Sequence, residues 1–409
     1  MEGEERPAQL GPIMEYFSCI PDPRKDINKI YPLNEVVAIT ILAVLSLAKG
    51  WEDIERYGIA KREWLSKFLE LKEGIPKHDV YRRIFTVLDP ELIESCFMNW
   101  VRAIRQNIQP PLQEGLESPP NEQKLRENVA IDGKTARGSF HAETGKALHI
   151  VSAWAAANRL VFGQMKTDEK SNEITAIPAL LDKIALEGSI VSIDAMGCQY
   201  EIANKIVKKK ADYVFSLKGN QESLYEDVKE YFEELDFAKP LSAMSHIPFQ
   251  SVSTHEQGHG RIDDRDYAVT GDVQWLCQRH PHWNTIQSIG LVDSCREVKG
   301  KVTCERRYFI SILPANAEEF ARSVRSHWGI ENSLHYVLDV SFGEDRSRIC
   351  KGKGPENMSI IRKIVQTIAR SDTETKSSIA GRLKQMAWSD EYTEKILFNS
   401  SFATLANDL

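Results

Sequence analysis

The sequence predicts an α/β protein in which a mixed sheet is covered by helices. Three observations support this fold class. Apolar residues recur at helical spacing over the first hundred positions, residues 126–235 alternate between short apolar strands and amphipathic helices, and residues 236–315 are mostly strand-like. Helical patterns return from residue 316 onward. The β-rich block is therefore predicted to be an insertion between the sheet and its last helices.

Residues 1–108 are predicted to form an N-terminal helical domain. The longest apolar run, Val36 to Ala48, is too short to cross a bilayer and is expected to be a buried helix. Residues 78–104 are expected to form two short helices, divided at Asp89-Pro90. The pattern is compatible both with packing and with DNA binding, so both roles stay open. Residues 109–125 are rich in Pro and Glu, which predicts a linker.

Residues 126–235 are predicted to form the first part of the sheet domain. The elements follow in the order strand, hairpin, helix, strand, helix, strand, helix, with the hairpin turning at Asn158-Arg159. This order suits a sheet that begins antiparallel and ends with parallel crossovers. Residues 316–409 are predicted to be its C-terminal helical part, which opens with the capping pair Asn316 and Glu319.

The composition is that of an ordinary soluble protein, with 42% hydrophobic and 27% charged residues. The acidic N-terminus lacks an apolar signal segment, so we expect a cytoplasmic protein that does not contact membranes. A net charge of −7 does not favour nucleic acid as a partner, although basic runs at Lys205–Lys210 and Asp345–Gly354 leave room for local contacts. The seven cysteines are scattered, which predicts reduced thiols.

One short motif points to a different class of protein. His255, Glu256 and His259 spell H-E-x-x-H, which on a helix forms the zinc site of metalloproteases. The two histidines converge only in a helix, whereas Gly258 and the strand-like flanking residues favour a hairpin. We therefore expect no zinc at this motif.

Three carboxylates occupy positions that suit metal chemistry. Asp132 and Asp194 each follow a short apolar strand, and an acid there can face the crevice at the strand ends. Glu331 lies near the apolar face of a late helix, where a charge without a partner is costly. Taken singly, each aspartate could cap a turn and the glutamate could form an ion pair. Together they could hold two divalent ions, and oxygen ligands favour Mg²⁺ over zinc.

Several motifs resemble those of a known family. DGKTARGS, SIDAMGCQ, ADYVFSLKGNQ, GHGRIDDR, HWGIENSLHYVLDVSFGEDRSR and GPEN are similar, in order and spacing, to motifs of bacterial DDE-type insertion-sequence transposases of the H-repeat-associated group. The resemblance covers nearly the whole chain. It implies a ribonuclease-H-like core with a β-rich insertion before the last acid. It also implies that Asp132, Asp194 and Glu331 are the catalytic and metal-binding triad.

The resemblance further implies an activity. A transposase of this type uses two Mg²⁺ ions, for which Mn²⁺ is expected to substitute, to cut the inverted ends of its element and join them to target DNA. Double-stranded DNA is then the partner, and action on two ends implies a homodimer or larger complex, located in the bacterial cytoplasm at the nucleoid. Two alternatives stay open: a nuclease that does not transfer strands, and an inactive relic that only binds DNA.

The surroundings of the third acid depart from the wider superfamily. The Tyr, Arg and Lys of its Tyr-Arg-Glu-Lys signature are replaced here by Val324, His327 and Leu338. Asp339, eight residues after Glu331, is a rival for the third acid.

DNA phosphates are held by Lys, Arg and backbone amides, including those at helix N-termini. The candidate DNA contacts are Lys134, Arg137, Lys218, Asn220, Arg261, Arg325, His327, Asn332, His335, Arg346 and Arg348.

Overall fold

A single nine-stranded sheet runs through the computed structural model, which describes residues 11–26, 29–108, 126–140, 145, 147–167, 173–234, 249–258 and 260–398. The predicted linker, residues 109–125, lies outside these ranges. The strand order is β3-β2-β1-β4-β5-β9-β8-β7-β6. The strands are β1 (Asn128–Phe140), β2 (Ala147–Ala155), β3 (Leu160–Lys166), β4 (Ile190–Ile193), β5 (Asp212–Leu217), β6 (Phe249–Gly258), β7 (Arg261–Thr270), β8 (Ser288–Val298) and β9 (Lys301–Ser311).

The first five strands have the order and directions expected of a ribonuclease-H-like core. β1, β2 and β3 pair antiparallel, whereas β1, β4 and β5 pair parallel. The β2–β3 hairpin turns where predicted, and Arg159 has a left-handed φ of 54° there. The prediction of a sheet that starts antiparallel and ends parallel is confirmed.

The β-rich insertion extends the same sheet. β6, β7, β8 and β9 form an antiparallel meander, and β9 pairs antiparallel with β5, with Ser311 opposite Val214. The predicted strand content of this region is therefore confirmed. Its attachment to the core was not predicted, because strand pairing between distant segments leaves no local sequence signal.

Fifteen α-helices are described around this sheet. They are α1 (Gly11–Ser18), α2 (Leu33–Leu45), α3 (Trp51–Ala60), α4 (Arg62–Leu65), α5 (His78–Val87), α6 (Pro90–Ile108), α7 (Glu173–Lys183), α8 (Tyr200–Lys208), α9 (Glu222–Glu234), α10 (Gln274–Arg279), α11 (Ala317–Gly329), α12 (Tyr336–Val340), α13 (Gly354–Ser371), α14 (Ile379–Trp388) and α15 (Asp390–Leu397). A π-helical turn, Ile330–His335, joins α11 to α12.

Helices cover both faces of the sheet. One face shares a large apolar core with the N-terminal helices and α13, and α2 is buried from Val36 to Leu45 as its sequence predicts. The amide of Asn357 on α13 donates to the backbone carbonyls of Phe85 and Leu88 and so ties α13 to the end of α5. On the opposite face, α11 lies against β1 and β4. This placement brings the end of α11 to the edge where those two strands end.

The prediction of reduced cysteines is wrong for one pair. Cys295 on β8 and Cys304 on β9 form a disulfide. They are directly opposite each other in the antiparallel register, a relationship that their scattered sequence positions do not reveal. The other five cysteines are free. Within the described ranges, no helix is long and apolar enough to cross a bilayer.

Candidate active site

Asp132 and Asp194 lie side by side, because Ile131 on β1 is the register partner of Ile193 on β4 and each aspartate is the next residue of the chain. Asp194 directly follows the end of β4, as predicted, whereas β1 continues through Asp132 to Phe140, so the prediction of a strand that ends at Asp132 is wrong. Oδ1 of Asp194 accepts hydrogen bonds from the backbone amides of Met196 (3.1 Å) and Gly197 (3.4 Å), so this acid also caps a turn. Its Oδ2 has no hydrogen-bond partner among the described residues and is free to bind a ligand.

Glu331 enters the site from the π-helical turn between α11 and α12. Its neighbours Ile330 and Leu334 are buried, while Glu331 itself is exposed. A π-turn holds one residue more than an α-turn and usually marks a functional position, because it distorts the helix at a cost. The turn places Glu331 outside the packed face and toward the two aspartates.

The acids in this site influence one another electrostatically. Burial, then the charges of Asp194, Glu173 and Glu331, raise the pKa of Asp132 to about 7. Burial and the charge of Glu173 raise the pKa of Asp194. Burial and the charge of Asp194 raise the pKa of Glu331. Four carboxylates thus share one electrostatic environment whose negative charge is incompletely compensated.

The chemistry of these donors fits a hard divalent cation. All four side chains offer carboxylate oxygens, the ligands preferred by Mg²⁺. Burial and the neighbouring acids raise the pKa values of Asp132, Asp194 and Glu331, and a bound cation would offset this cost of holding charge. Among the described residues, however, no three potential ligands converge closely enough to hold an ion in this conformation. The donor chemistry of these residues therefore suits a divalent cation, and the side chains must move closer together to coordinate it.

Glu173, in the first turn of α7, is a site residue that the sequence analysis missed. Its Oε1 lies 2.8 Å from Nε2 of His149, whose Nδ1 lies 2.7 Å from Oγ1 of Thr135. Gly133 makes room for this arrangement, because a Cβ at that position would lie 2.1 Å from Oε1 of Glu173. The glycine directly after Asp132 was the one available sequence signal, since a glycine there can permit close approach of another chain segment.

Two histidines predicted to contact DNA instead lie against the strands. Nδ1 of His335 lies 3.4 Å from Oδ2 of Asp132, and its side chain is only 13% exposed. Nδ1 of His327 lies 3.0 Å from the hydroxyl of Ser192 on β4. Burial, with nearby cations, lowers the pKa of His335 to about 3, and burial lowers that of His327 to about 4. These pKa values favour neutral rings at pH 7, which would offer a phosphate a hydrogen bond rather than a positive charge, and DNA contact at both positions stays a prediction.

Lys134, also predicted to contact DNA, is held inside an ionic cluster. Its Nζ lies 2.7 Å from Asp339, 3.1 Å from Asp345 and 3.7 Å from Glu344, and its side chain is 9% exposed. It is therefore an internal counterion rather than a free phosphate ligand. The same contact occupies Asp339, so the arrangement favours Glu331 over this rival as the third acid.

The remaining candidates differ in how free they are. Arg137 on β1 has a side chain that is 83% exposed. Lys218 is exposed, and its charge partly offsets the rise in the pKa of Asp194. The amide of Asn220 donates to the carbonyl of Ala195 at 2.6 Å, which ties the end of β5 to the turn after Asp194. Asn220 lies in a 3₁₀ turn and does not cap α9.

Two further predicted DNA contacts, Arg325 and Arg261, form ion pairs with acids of the β6–β7 hairpin. Arg325 on α11 binds Glu256 at 2.7 Å, and Arg261 binds Asp263 at 3.1 Å. Glu256 and His255 lie on β6, so the H-E-x-x-H stretch is not helical there, and His259 lies outside the described residues. Asn332, Arg346 and Arg348 are exposed.

Known proteins match this chain over most of its length. Residues 123–368 match the family described as Transposase DDE domain, and residues 14–101 match the one described as DDE_Tnp_1-associated. Putative transposase YncI of Escherichia coli O157:H7 is 36% identical over 393 residues, which is 95% of each chain. H repeat-associated putative transposase YhhI of Escherichia coli K12 is 34% identical over 400 residues, covering 97% of this chain and 100% of that one.

Among solved structures, a piggyBac transposase synaptic complex with hairpin DNA matches 98% of this chain and 85% of its own. The TM-score is 0.41 and the sequence identity is 10%.

Proposed function

This chain belongs to the DDE transposases of the H-repeat-associated group, and from that premise we propose that it cuts the inverted ends of its own insertion sequence and joins them to target DNA. One observation carries the proposal. Asp132, Asp194 and Glu331 come from a strand, a strand end and a π-helical turn far apart in sequence, yet they share one electrostatic site where β4 ends beside β1. Such a site suits in-line displacement at a phosphodiester.

Each acid has a distinct part in this proposal. Two Mg²⁺ ions bound by these carboxylates would activate the attacking oxygen and stabilise the leaving oxygen. Asp194 presents Oδ2 while backbone amides hold its Oδ1. Asp132 is oriented by the amide of Gly133 (2.9 Å) and by His335. Glu173 adds a fourth carboxylate to the site.

Exposed cations around these acids would position the DNA. Arg137 lies five residues beyond Asp132 on β1, Lys218 lies close enough to Asp194 to influence its pKa, and backbone amides at the Lys218–Asn220 turn are further phosphate donors. Because two ends must be joined, we propose that two or more copies assemble on double-stranded DNA at the bacterial nucleoid.

The test is cleavage of a supercoiled plasmid that carries the inverted repeats flanking this gene, with Mg²⁺, Mn²⁺ or chelator. Wild type is compared with Asp132→Asn, Asp194→Asn and Glu331→Gln, and with the matched control Glu187→Gln, whose side chain is exposed. We expect metal-dependent nicking at the repeats, lost in the three acid variants and retained in the control. A labelled target oligonucleotide reports strand joining.

The outcomes separate the alternatives. Cleavage at the repeats without joining to the target identifies a nuclease. Binding of the repeats by folded wild type without cleavage identifies an inactive relic. If Glu331→Gln still cleaves the plasmid, Asp339 rather than Glu331 is the third acid. Cleavage that is unchanged in Asp132→Asn would overturn the site itself.

A further inference from the structure

A cleft of about 1070 Å³ lies between the N-terminal helices and the segment that follows α12. One wall is formed by the start of α3 with part of α5, and the other by residues 339–351. The side chain of Lys49 reaches across it, since a Cβ built on Gly343 would lie 3.9 Å from the Lys49 Nζ. The cleft therefore joins the helical N-terminal region to the part of the chain directly after the third acid.

Four cations in this cleft have no acidic partner. Lys49, Arg346, Arg348 and Lys351 are exposed, and within the described ranges none of them forms an ion pair. The acids that also line the cleft contact other cations, each of which is shared by two or more acids. Asp339 and Asp345 bind Lys134, while Glu52 and Asp53 bind Arg56. In a chain whose net charge is −7, such a cluster of free cations is a local exception that suits an anionic partner.

An exposed stripe connects this cleft to the acids. Asn332, Tyr336 and Val340 follow one another at intervals of four along the helix that carries Glu331. Tyr336 and Val340 are 61% exposed, which is unusual for large apolar side chains, and Val340 lines the cleft. At 1.5 Å per residue, the path from Glu331 to Val340 is about 14 Å, or about four steps of a DNA strand.

We propose that this stripe and cleft hold the DNA strand that leads away from the scissile phosphate. The four cations bind successive phosphates, and the Tyr336 ring stacks on a base close to the cut. This combination of a basic groove with an exposed aromatic ring is how proteins bind DNA strands without reading their sequence. The inference rests on the proposed function and deepens it, because it makes the N-terminal region part of the DNA-binding surface through Lys49.

The experiment measures DNA binding without catalysis. Fluorescence anisotropy in chelator is recorded with two labelled duplexes, one carrying the inverted repeat with a short single-stranded flank and one of unrelated sequence. The variants are Arg346→Ala/Arg348→Ala, Lys49→Ala, Tyr336→Ala and Tyr336→Phe. The matched control is Lys376→Ala/Lys384→Ala, two exposed lysines that lie just before α14 and within it. Thermal melting checks that each variant folds.

We expect the double arginine variant to lose at least tenfold in affinity for both duplexes and to reduce the salt dependence by about two phosphate contacts. Lys49→Ala should lose about threefold in affinity. Tyr336→Ala should lose affinity for the flanked duplex, whereas Tyr336→Phe, which keeps the ring, should retain it. The lysine control should bind like wild type.

Several results would overturn the proposal. A folded double arginine variant with wild-type affinity and salt dependence would remove the cleft from the DNA path, as would an equal loss in the lysine control. Wild type that binds both duplexes equally contradicts the recognition of element ends, while the variants still test the cleft. Wild type that binds neither duplex overturns both ideas.

Discussion

Nδ1 of His335 lies 3.4 Å from Oδ2 of Asp132, and this contact joins the helix of the third acid to the strand of the first. Burial and nearby cations lower the pKa of His335 to about 3, so the ring contacts Asp132 without carrying a positive charge. The histidine is therefore a positioning residue that orients Asp132 without adding charge.

Replacing His335 tests this role. His335→Phe keeps a ring but removes the polar contact with Asp132, so we expect cleavage at the element ends to fall about tenfold, as loss of a contact worth about 1.4 kcal/mol predicts. His335→Asn retains a donor and should recover part of the rate. The exposed His282 gives the control, His282→Phe, which should cut normally. A fully active His335→Phe would remove the histidine from the mechanism.

Asp132 should make the metal-free protein less stable at higher pH. Its pKa is raised from 3.8 to about 7, so the folded protein keeps a proton that the unfolded chain releases. Below about pH 4 both states are protonated; as the pH rises toward 7, stability falls, and above 7 it levels off. In chelator, Asp132→Asn should therefore gain stability over wild type, and the gain should grow by about 2–3 kcal/mol between pH 5 and pH 8.

Urea unfolding at the two pH values measures this difference. Asp182→Asn, at an exposed acid on α7, is the control and should show the same small effect at both. A gain in Asp132→Asn that does not change with pH would contradict the raised pKa.

Gly133→Ala should displace Glu173. The added Cβ would lie 2.1 Å from the Glu173 carboxylate and 2.5 Å from the ring of His149, and both are side-chain ends that can swing away. We expect Gly133→Ala to weaken Mn²⁺ binding to a similar extent as Glu173→Gln, about tenfold, when measured by calorimetry. The double variant should be no weaker than either single variant, because both remove the same carboxylate. Additive losses would show that Glu173 and Gly133 act separately.

Lys134 should matter for stability more than for DNA binding. Lys134→Met leaves Asp339, Glu344 and Asp345 close together without their shared cation, which should cost about 3 kcal/mol in urea unfolding. Arg137→Met, three residues along the same strand but largely exposed, should change stability by less than about 0.5 kcal/mol. If the two variants unfold alike, the internal role of Lys134 is wrong.

Local patterns explain what could be predicted from the sequence. Asp132 and Asp194 each follow a short buried run that is rich in Val and Ile, so a strand before each acid is visible within five positions. The alternation of strands and helices likewise indicates parallel pairing, which then places the two acids together. The capping of α11 by Asn316, 2.9 Å from the Glu319 amide, is another local feature that the sequence predicts correctly.

Distant contacts explain what could not be predicted. The sequence around Lys134 does not show whether this lysine binds phosphate or forms internal ion pairs. Its partners, Asp339 and Asp345, lie some two hundred positions later in the chain. Glu173 carries no motif of its own, and its place in the site depends on the folding of α7 over Gly133. Cys295 and Cys304 become neighbours only through the β8–β9 register.

The π-turn that presents Glu331 indicates one way in which such a protein could lose its activity. The turn Ile330–His335 accommodates one residue beyond what a regular helix needs. Deleting a single codon there would let α11 and α12 merge into an unbroken α-helix, because the surplus residue is the one removed. Core and acids would all be present, yet Glu331 would lose the turn that directs it toward the two aspartates. A mobile element can thus lose its movement while its gene still encodes a folded protein with the full triad.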